Sequence, residues 1–208
     1  MLPPTIPIFP LPNVVLFPQV FLPLHIFEAR YRSMVADAIE GDRLIGMALL
    51  RPGWEGDYDG RPPVFPVGCA GVITHHDRLP DGRFNIVLRG LEKFRITGEE
   101  TDRLYRVARI ESLEERLDGH REEIAAARQR LEGMLIPKPR GRGASESSLP
   151  ISMSDEDLVN TLAQYMDLEP LEKQALLERS GPLDRCRSLI ELLEMKLMLA
   201  KHDWSETN

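Results

Sequence analysis

Pro10-Leu11-Pro12-Asn13-Val14-Val15-Leu16-Phe17-Pro18 and Leu22-Pro23-Leu24-His25-Ile26-Phe27-Glu28-Ala29-Arg30-Tyr31 decide how this chain folds. Proline has no N–H donor and is kept out of helix interiors and central sheet positions. Seven of the 17 prolines nevertheless fall within the first 25 residues, among Ile6, Ile8, Phe9, Val14, Val15, Leu16, Phe17, Val20 and Phe21, which are strand formers. Short strands with bends or edge positions reconcile the two, and a small irregular barrel suits them better than a flat sheet. Position Phe27 opens a different period. Phe27, Tyr31, Val35, Ala38 and Ile39 recur at helical spacing, and Gly41 stands where a C-terminal cap belongs.

Further along the chain, strand text continues. Leu44 to Leu50 and Val67 to Thr74 are short and apolar, as buried strands are. Leu79-Pro80-Asp81-Gly82 has turn chemistry and leads into Phe84 to Leu88. Phe94 to Thr97 and Leu104 to Ile110 alternate like half-buried strands. After about residue 112 the text becomes helical. Leu117, Ile124 and Leu131 recur every seven residues, and Ser154 with Asp157 opens a helix bearing Leu158, Leu162, Tyr165 and Met166. Pro170 and Pro182 each stand at the first turn of a further helix. Residues 137–150 have little to bury and read as a mobile loop. The expected division is a β-rich part over 1–112 and an α-helical part over 113–208.

Composition bounds the function classes. The 208 residues carry 26 basic and 33 acidic side chains, a net charge of −7. That balance disfavours a generic phosphate-binding surface, but the charge is unevenly spread. Residues 1–112 hold 13 basic and 14 acidic groups, whereas 113–208 hold 13 and 19. The acidity belongs to the helical part and weighs little against RNA on the barrel. Cys69 and Cys186 fit no metal or redox spacing, so free thiols in a reducing compartment are expected. No apolar run approaches the ~18 residues of a spanning helix, and a proline-rich N-terminus is no signal peptide. The expectation is a cytoplasmic protein with no membrane partner.

Catalytic signatures are missing from the sequence. It contains no Gly-x-x-x-x-Gly-Lys-Ser/Thr, no Gly-x-Gly-x-x-Gly and no His-Glu-x-x-His. His75 and His76 are adjacent on a strand and point to opposite faces, which suits a surface strand end better than a metal site. Asp57-Tyr58-Asp59-Gly60 lacks the closing Glu of a calcium loop and reads as a polar turn. His25, among apolar residues, reads as a hydrogen-bonded core or rim group. Lys138, Arg140 and Arg142 form a short basic run that reads as a solvated loop. No catalytic residue, cofactor or metal is therefore expected. Trp54 and Tyr58 stand apart, because aromatics with a polar handle are over-represented in interfaces. They are the candidate peptide-binding residues; the competing reading has Trp54 fold back as a lid on the barrel.

The run from Pro10 to Tyr31 resembles the N-terminal substrate-binding domain of Lon ATP-dependent proteases, closest to free-standing bacterial proteins made of that domain alone. Val67-Gly68-Cys69-Ala70-Gly71-Val72-Ile73, Gly82 to Gly90 with Lys93-Phe94-Arg95-Ile96, and Glu172-Lys173-Gln174-Ala175-Leu176-Leu177-Glu178 add matches in order. The resemblance implies an α+β fold, a PUA-like β pseudo-barrel with one helix followed by an α-helical bundle. It implies a non-catalytic, ATP-independent module that binds unfolded or apolar polypeptide segments. An adaptor beside a protease or chaperone in protein quality control would be its setting. The ATPase and Ser-Lys peptidase of the full-length enzyme are expected to lie outside this sequence, so a peptidase label would be inherited from family naming. An RNA-binding PUA-like module is the alternative, with nucleic acid disfavoured for want of a clustered basic run on the strands. Peptidase activity is a third reading, lacking any nucleophile paired with a base.

Overall fold

A computed structural model describes residues 1–58, 60–100, 102–115, 121–135 and 153–206, the side chains of 200–206 excepted. By compactness it divides into two units, Met1–Glu114 with Asn160–Glu178, and Glu115–Val159 with Arg179–Asn208.

The first unit is built on six strands: β1 (Thr5–Leu11), β2 (Phe21–Ile26), β3 (Leu44–Leu49), β4 (Val67–Arg78), β5 (Phe84–Glu100) and β6 (Arg106–Leu113). Their order is β2-β5-β4-β3-β1-β6, with β5 also pairing β6. Strands β1, β3, β4, β5 and β6 thus close into a ring, and β2 hangs on the outside of β5. Closure removes the sheet edges that would otherwise invite pairing with other chains. Strand β5 can serve three neighbours because it is 17 residues long and bends. Register shifts at Cys69/Gly71, Ile73/His75 and Ile96/Gly98 turn the corners. The pairs are antiparallel except β1–β3, where Ile8 faces Gly46. That parallel pair needs a long crossover, supplied by β2 and helix α1 (Ala29–Glu40). Ile6, Ile8, Ala70, Phe94, Ala108 and Ile110 fill the barrel.

Helix α1 begins and ends close to its expected bounds, buries Tyr31, Met34, Val35 and Ala38, and stops where the Gly41 N–H bonds back to Asp37 and Ala38 carbonyls. Two strand expectations need correction. Val14 to Val20 forms no strand. Instead Val15, Leu16, Phe17 and Val20 are buried as an irregular plug, and Gln19 takes a left-handed φ of 63°. The plug lies so close to β5 that a Cβ at Gly90 would sit 2.0 Å from the Phe17 carbonyl oxygen. The two segments Phe84–Leu88 and Phe94–Thr97 are one continuous strand.

Helices α3 (Asp155–Tyr165) and α4 (Pro170–Leu177) supply residues 160–178 of the first unit. Their buried amides pair with the irregular backbone of the plug and with the first residue of β4. Phe17 N–H donates to Gln164 Oε1 at 3.2 Å, Asn160 Nδ2 donates to the Pro18 carbonyl at 3.1 Å, and Gln174 Nε2 to the Val67 carbonyl at 3.0 Å. Backbone that cannot join a ladder must find such partners when buried. Within the second unit α2 (Arg121–Leu135) packs on α5 (Pro182–Glu206), burying Ile124, Leu131, Leu189 and Ile190. There Arg185, fully buried, pairs with Glu115. Ser154 Oγ accepts the Asp157 N–H at the start of α3, as its spacing predicts. Leu117, the loop 137–150 and its Lys138, Arg140 and Arg142 lie outside the described residues. The architecture is the expected α+β one, a small β barrel carrying a helix, joined to helices. No helix of the described chain is long and apolar enough to cross a membrane.

Candidate functional site

The loop from Leu50 to Pro62 leaves β3 and returns toward β4. Its centre is the 3-10 turn Trp54–Asp57, entered through Gly53 at a left-handed φ of 90°. Neither aromatic of the loop is fully exposed. Trp54 packs edge-on against Tyr58, with centroids 5.5 Å apart. The Tyr58 hydroxyl donates to Glu28 Oε1 at 2.7 Å. Arg30 holds the loop from the other side: its Nη2 donates to the Tyr58 carbonyl at 3.2 Å and it lies 3.1 Å from Glu28 Oε2. Its guanidinium stands 4.8 Å from the Tyr31 ring centroid and 5.1 Å from that of Tyr58. Trp54 thus braces Tyr58, and Tyr58 faces a cleft.

That cleft, about 300 Å³, is lined by arginines and tyrosines from three stretches of chain. The first turn of α1 contributes Arg30 and Tyr31, the loop Tyr58 and Arg61, and the stretch from the end of β5 into β6 Arg103, Tyr105 and Arg106. Pro10, Leu50 and Pro62 give it apolar walls. Arg106 is held by Glu99, its Nε donating to Oε2 at 2.8 Å, and its Nη1 donates to the Pro62 carbonyl at 2.7 Å. Arg61 lies 3.9 Å from the same Glu99 and donates to the Glu100 carbonyl at 2.9 Å. Arg103 and the Tyr105 hydroxyl both reach Asp37 Oδ2, at 3.2 and 2.6 Å.

The titration of these groups follows from the geometry. Burial pushes the Tyr31 phenol up to about 12, reinforced by Tyr58 and Glu28 and opposed by Arg30 and Arg106. Burial and the Glu28 acceptor raise Tyr58, and burial and the Asp37 acceptor raise Tyr105. Burial opposes the charge on Arg30, but Tyr31 and Glu28 outweigh it and raise its pKa. At neutral pH the cleft therefore presents neutral phenols and charged guanidiniums, an arrangement suited to holding an oxyanion or a polar main chain.

The open edge of the barrel is less receptive. Strand β2 pairs β5 alone. The Gly90 N–H bonds to the Val20 carbonyl, and alternation then turns Leu22, Leu24 and Ile26 toward β5 and Phe21, Pro23 and His25 outward. Pro23 has no donor, and the Phe21 carbonyl already accepts the Tyr165 hydroxyl at 2.7 Å. The edge is blunted as natural edges are, though Phe21 and Phe27 remain 51% and 62% exposed.

Other predicted groups lie apart from the cleft. His25 is an exposed rim residue, bonded to Asn85 at 2.7 Å and 3.2 Å from Arg83. His75 and His76 are exposed on β4. Asp59 lies outside the described residues. Among the described residues no group of three or more His, Cys, Asp or Glu is placed to hold a metal. Both cysteines are buried, and neither is in a disulfide. Arg30, Tyr31, Arg61, Arg103, Tyr105 and Arg106 carried no local signal, since they come from separate elements and share no motif. Arg30 and Tyr31 fall within a quoted run, and Tyr105 and Arg106 within the strand read over Leu104 to Ile110, but these readings gave them no binding role.

A family model described as the ATP-dependent protease La (LON) substrate-binding domain matches residues 5–195. Curated relatives include a Lon protease of Flavobacterium johnsoniae, 27% identical over 201 residues, which cover 94% of this chain and 24% of that protein. The Lon protease of Escherichia coli is 26% identical over 197 residues, 93% of this chain and 25% of that protein. The chain thus spans about a quarter of the length of these relatives. Among solved structures, a Lon N-terminal domain protein from Xanthomonas campestris aligns with TM-score 0.59 at 22% identity, over 90% of this chain and 97% of that one. The N-terminal domain of Mycobacterium avium complex Lon protease aligns with TM-score 0.62 at 16% identity, over 91% and 98%.

Proposed function

From the premise that this chain belongs to the family of the LON substrate-binding domain, we propose that it is a non-catalytic module that binds unfolded polypeptide segments. The cleft beside Tyr58, braced by Trp54, is its contact site, and an adaptor role in protein quality control is its setting. The observation that carries this reading is the cleft: a concave surface offering three phenols, four guanidiniums and apolar walls, set by a loop anchored to α1. Aromatic and arginine side chains are the ones that dominate recognition energies at interfaces. Strand addition at β2 is the weaker route, because Pro23 and the engaged Phe21 carbonyl remove part of the ladder a guest strand would need.

A permanently unfolded, fluorescently labelled model protein is the probe. Binding at micromolar affinity or tighter is expected, and Trp54→Ala or Tyr58→Ala should each weaken it about tenfold, the ~1.4 kcal/mol expected of an interface anchor. Absence of binding, or full affinity in both variants, overturns the reading. Casein incubated with the protein, with or without ATP, is expected to remain intact.

A further inference from the structure

We propose that the cleft recognises a carboxylate of the bound polypeptide, either its C-terminal group or an Asp or Glu side chain. The inference rests on the polypeptide-binding reading and adds the chemical feature the site selects. Its basis is an imbalance of charge. Four guanidiniums, Arg30, Arg61, Arg103 and Arg106, line the cleft. Among the described residues three carboxylates pair with them: Glu28 with Arg30, Asp37 with Arg103, and Glu99 shared between Arg106 and Arg61. Arg106 takes Glu99 in a two-pronged bond, whereas Arg61 stands 3.9 Å away with 38% of its side chain exposed. Arg61 is therefore the cation whose charge is least matched, and its planar fork suits a carboxylate. Asp57, at the mouth beside Gly60, is exposed, where water weakens its hold on a cation.

A second observation points the same way. Tyr31, only 4% exposed, lines the cleft. Its electrostatic neighbours are Arg30, Tyr58, Glu28 and Arg106, so a guest oxygen received there would meet the phenol O–H beside two guanidiniums. The phenol remains protonated at neutral pH and can donate.

The test uses the whole protein and an N-terminally fluorescein-labelled twelve-residue peptide of Gly, Ser, Leu and Phe in three forms. One has a free C-terminal acid, one a C-terminal amide, and one the amide with a single internal Asp. Anisotropy titrations at fixed ionic strength are expected to show one or both carboxylate forms binding about tenfold or more tightly than the plain amide. Which form gains distinguishes a terminal from a side-chain carboxylate. Arg61→Gln should reduce that preference to less than twofold. Tyr31→Phe, which removes one oxygen, should reduce it several-fold at an unaltered melting temperature. Equal affinity for all three forms, with the unfolded model protein still bound, overturns the carboxylate assignment alone. Failure to bind either peptide or unfolded protein overturns the polypeptide reading with it. A decauridylate that binds more tightly than the acid peptide, and is released by raised salt, would overturn both in favour of a nucleic-acid cleft.

Discussion

Arg30 shows how much one side chain can organise. It ties the N-terminal turn of α1 to the loop through the Tyr58 carbonyl, pairs with Glu28, and covers the faces of two tyrosines. Nothing in its neighbourhood in sequence announces this, because every partner but Glu28 and Tyr31 arrives from the distant loop. Two other groups carry a pH signature. Burial pushes the Tyr31 phenol up to about 12 from an ordinary 10, and the Cys186 thiol up to about 11 from an ordinary 9. Both groups are neutral when protonated, so the native state holds its protons more tightly than the unfolded chain. Their stabilisation is full below pH 9 and is lost as pH rises through 11 and 12. The urea midpoint should fall between pH 9 and 12 by the equivalent of ~1–3 kcal/mol for each group. A Cys186→Ala variant should show a shallower fall between pH 9 and 11, and an unchanged slope would refute the assignment. Trp54 and Tyr58 were legible as unusual from composition alone, and they prove to be neighbours. That Tyr58 faces the cleft while Trp54 stands behind it was not legible, because both occupy a loop with no period.

The elements divide by the range of the forces that set them. Helix α1, the turn at Asp81-Gly82 and the start of α3 were readable because local chemistry decides them. Gly41 receives the last turn, Gly82 takes φ 83°, and Ser154 caps its helix. Strands β3 and β4 were readable from continuous apolar runs. Val14 to Val20 was not, because its residues have strand propensity and its conformation answers to partners outside the segment. Asn160 and Gln164 on α3 take up the Pro18 carbonyl and the Phe17 N–H that no ladder uses. Replacing Asn160 by Leu should therefore leave the Pro18 carbonyl buried without a donor and cost about 1–3 kcal/mol. A lower urea midpoint with an unaltered m-value would register it, whereas an unchanged midpoint would show the amide to be idle.

Over the whole molecule, the first unit takes residues 160–178 together with 1–114. A fragment of residues 1–114 lacks the amides of Asn160, Gln164 and Gln174 that pair with the plug and with Val67. We expect it to melt well below the full chain and to lose cooperativity, with a differential scanning calorimetry endotherm broadened or absent. A sharp transition at the full chain's temperature would show those contacts to be dispensable. By itself the sequence determined the α+β class, the change from strand to helix text near residue 112 and the family resemblance. Those rest on periodicity, on proline and glycine placement, and on ordered short motifs, all written over a few neighbouring residues. Only the tertiary structure decided that five strands close into a ring, that β2 is the blunted edge, and that arginines and tyrosines from α1, a loop and the β5–β6 segment converge in one cleft. Closure depends on bulges and on a long strand bending to meet three partners, and convergence depends on positions 30 to 106 meeting in space. Neither leaves a trace within any window short enough to carry a periodic or motif signal.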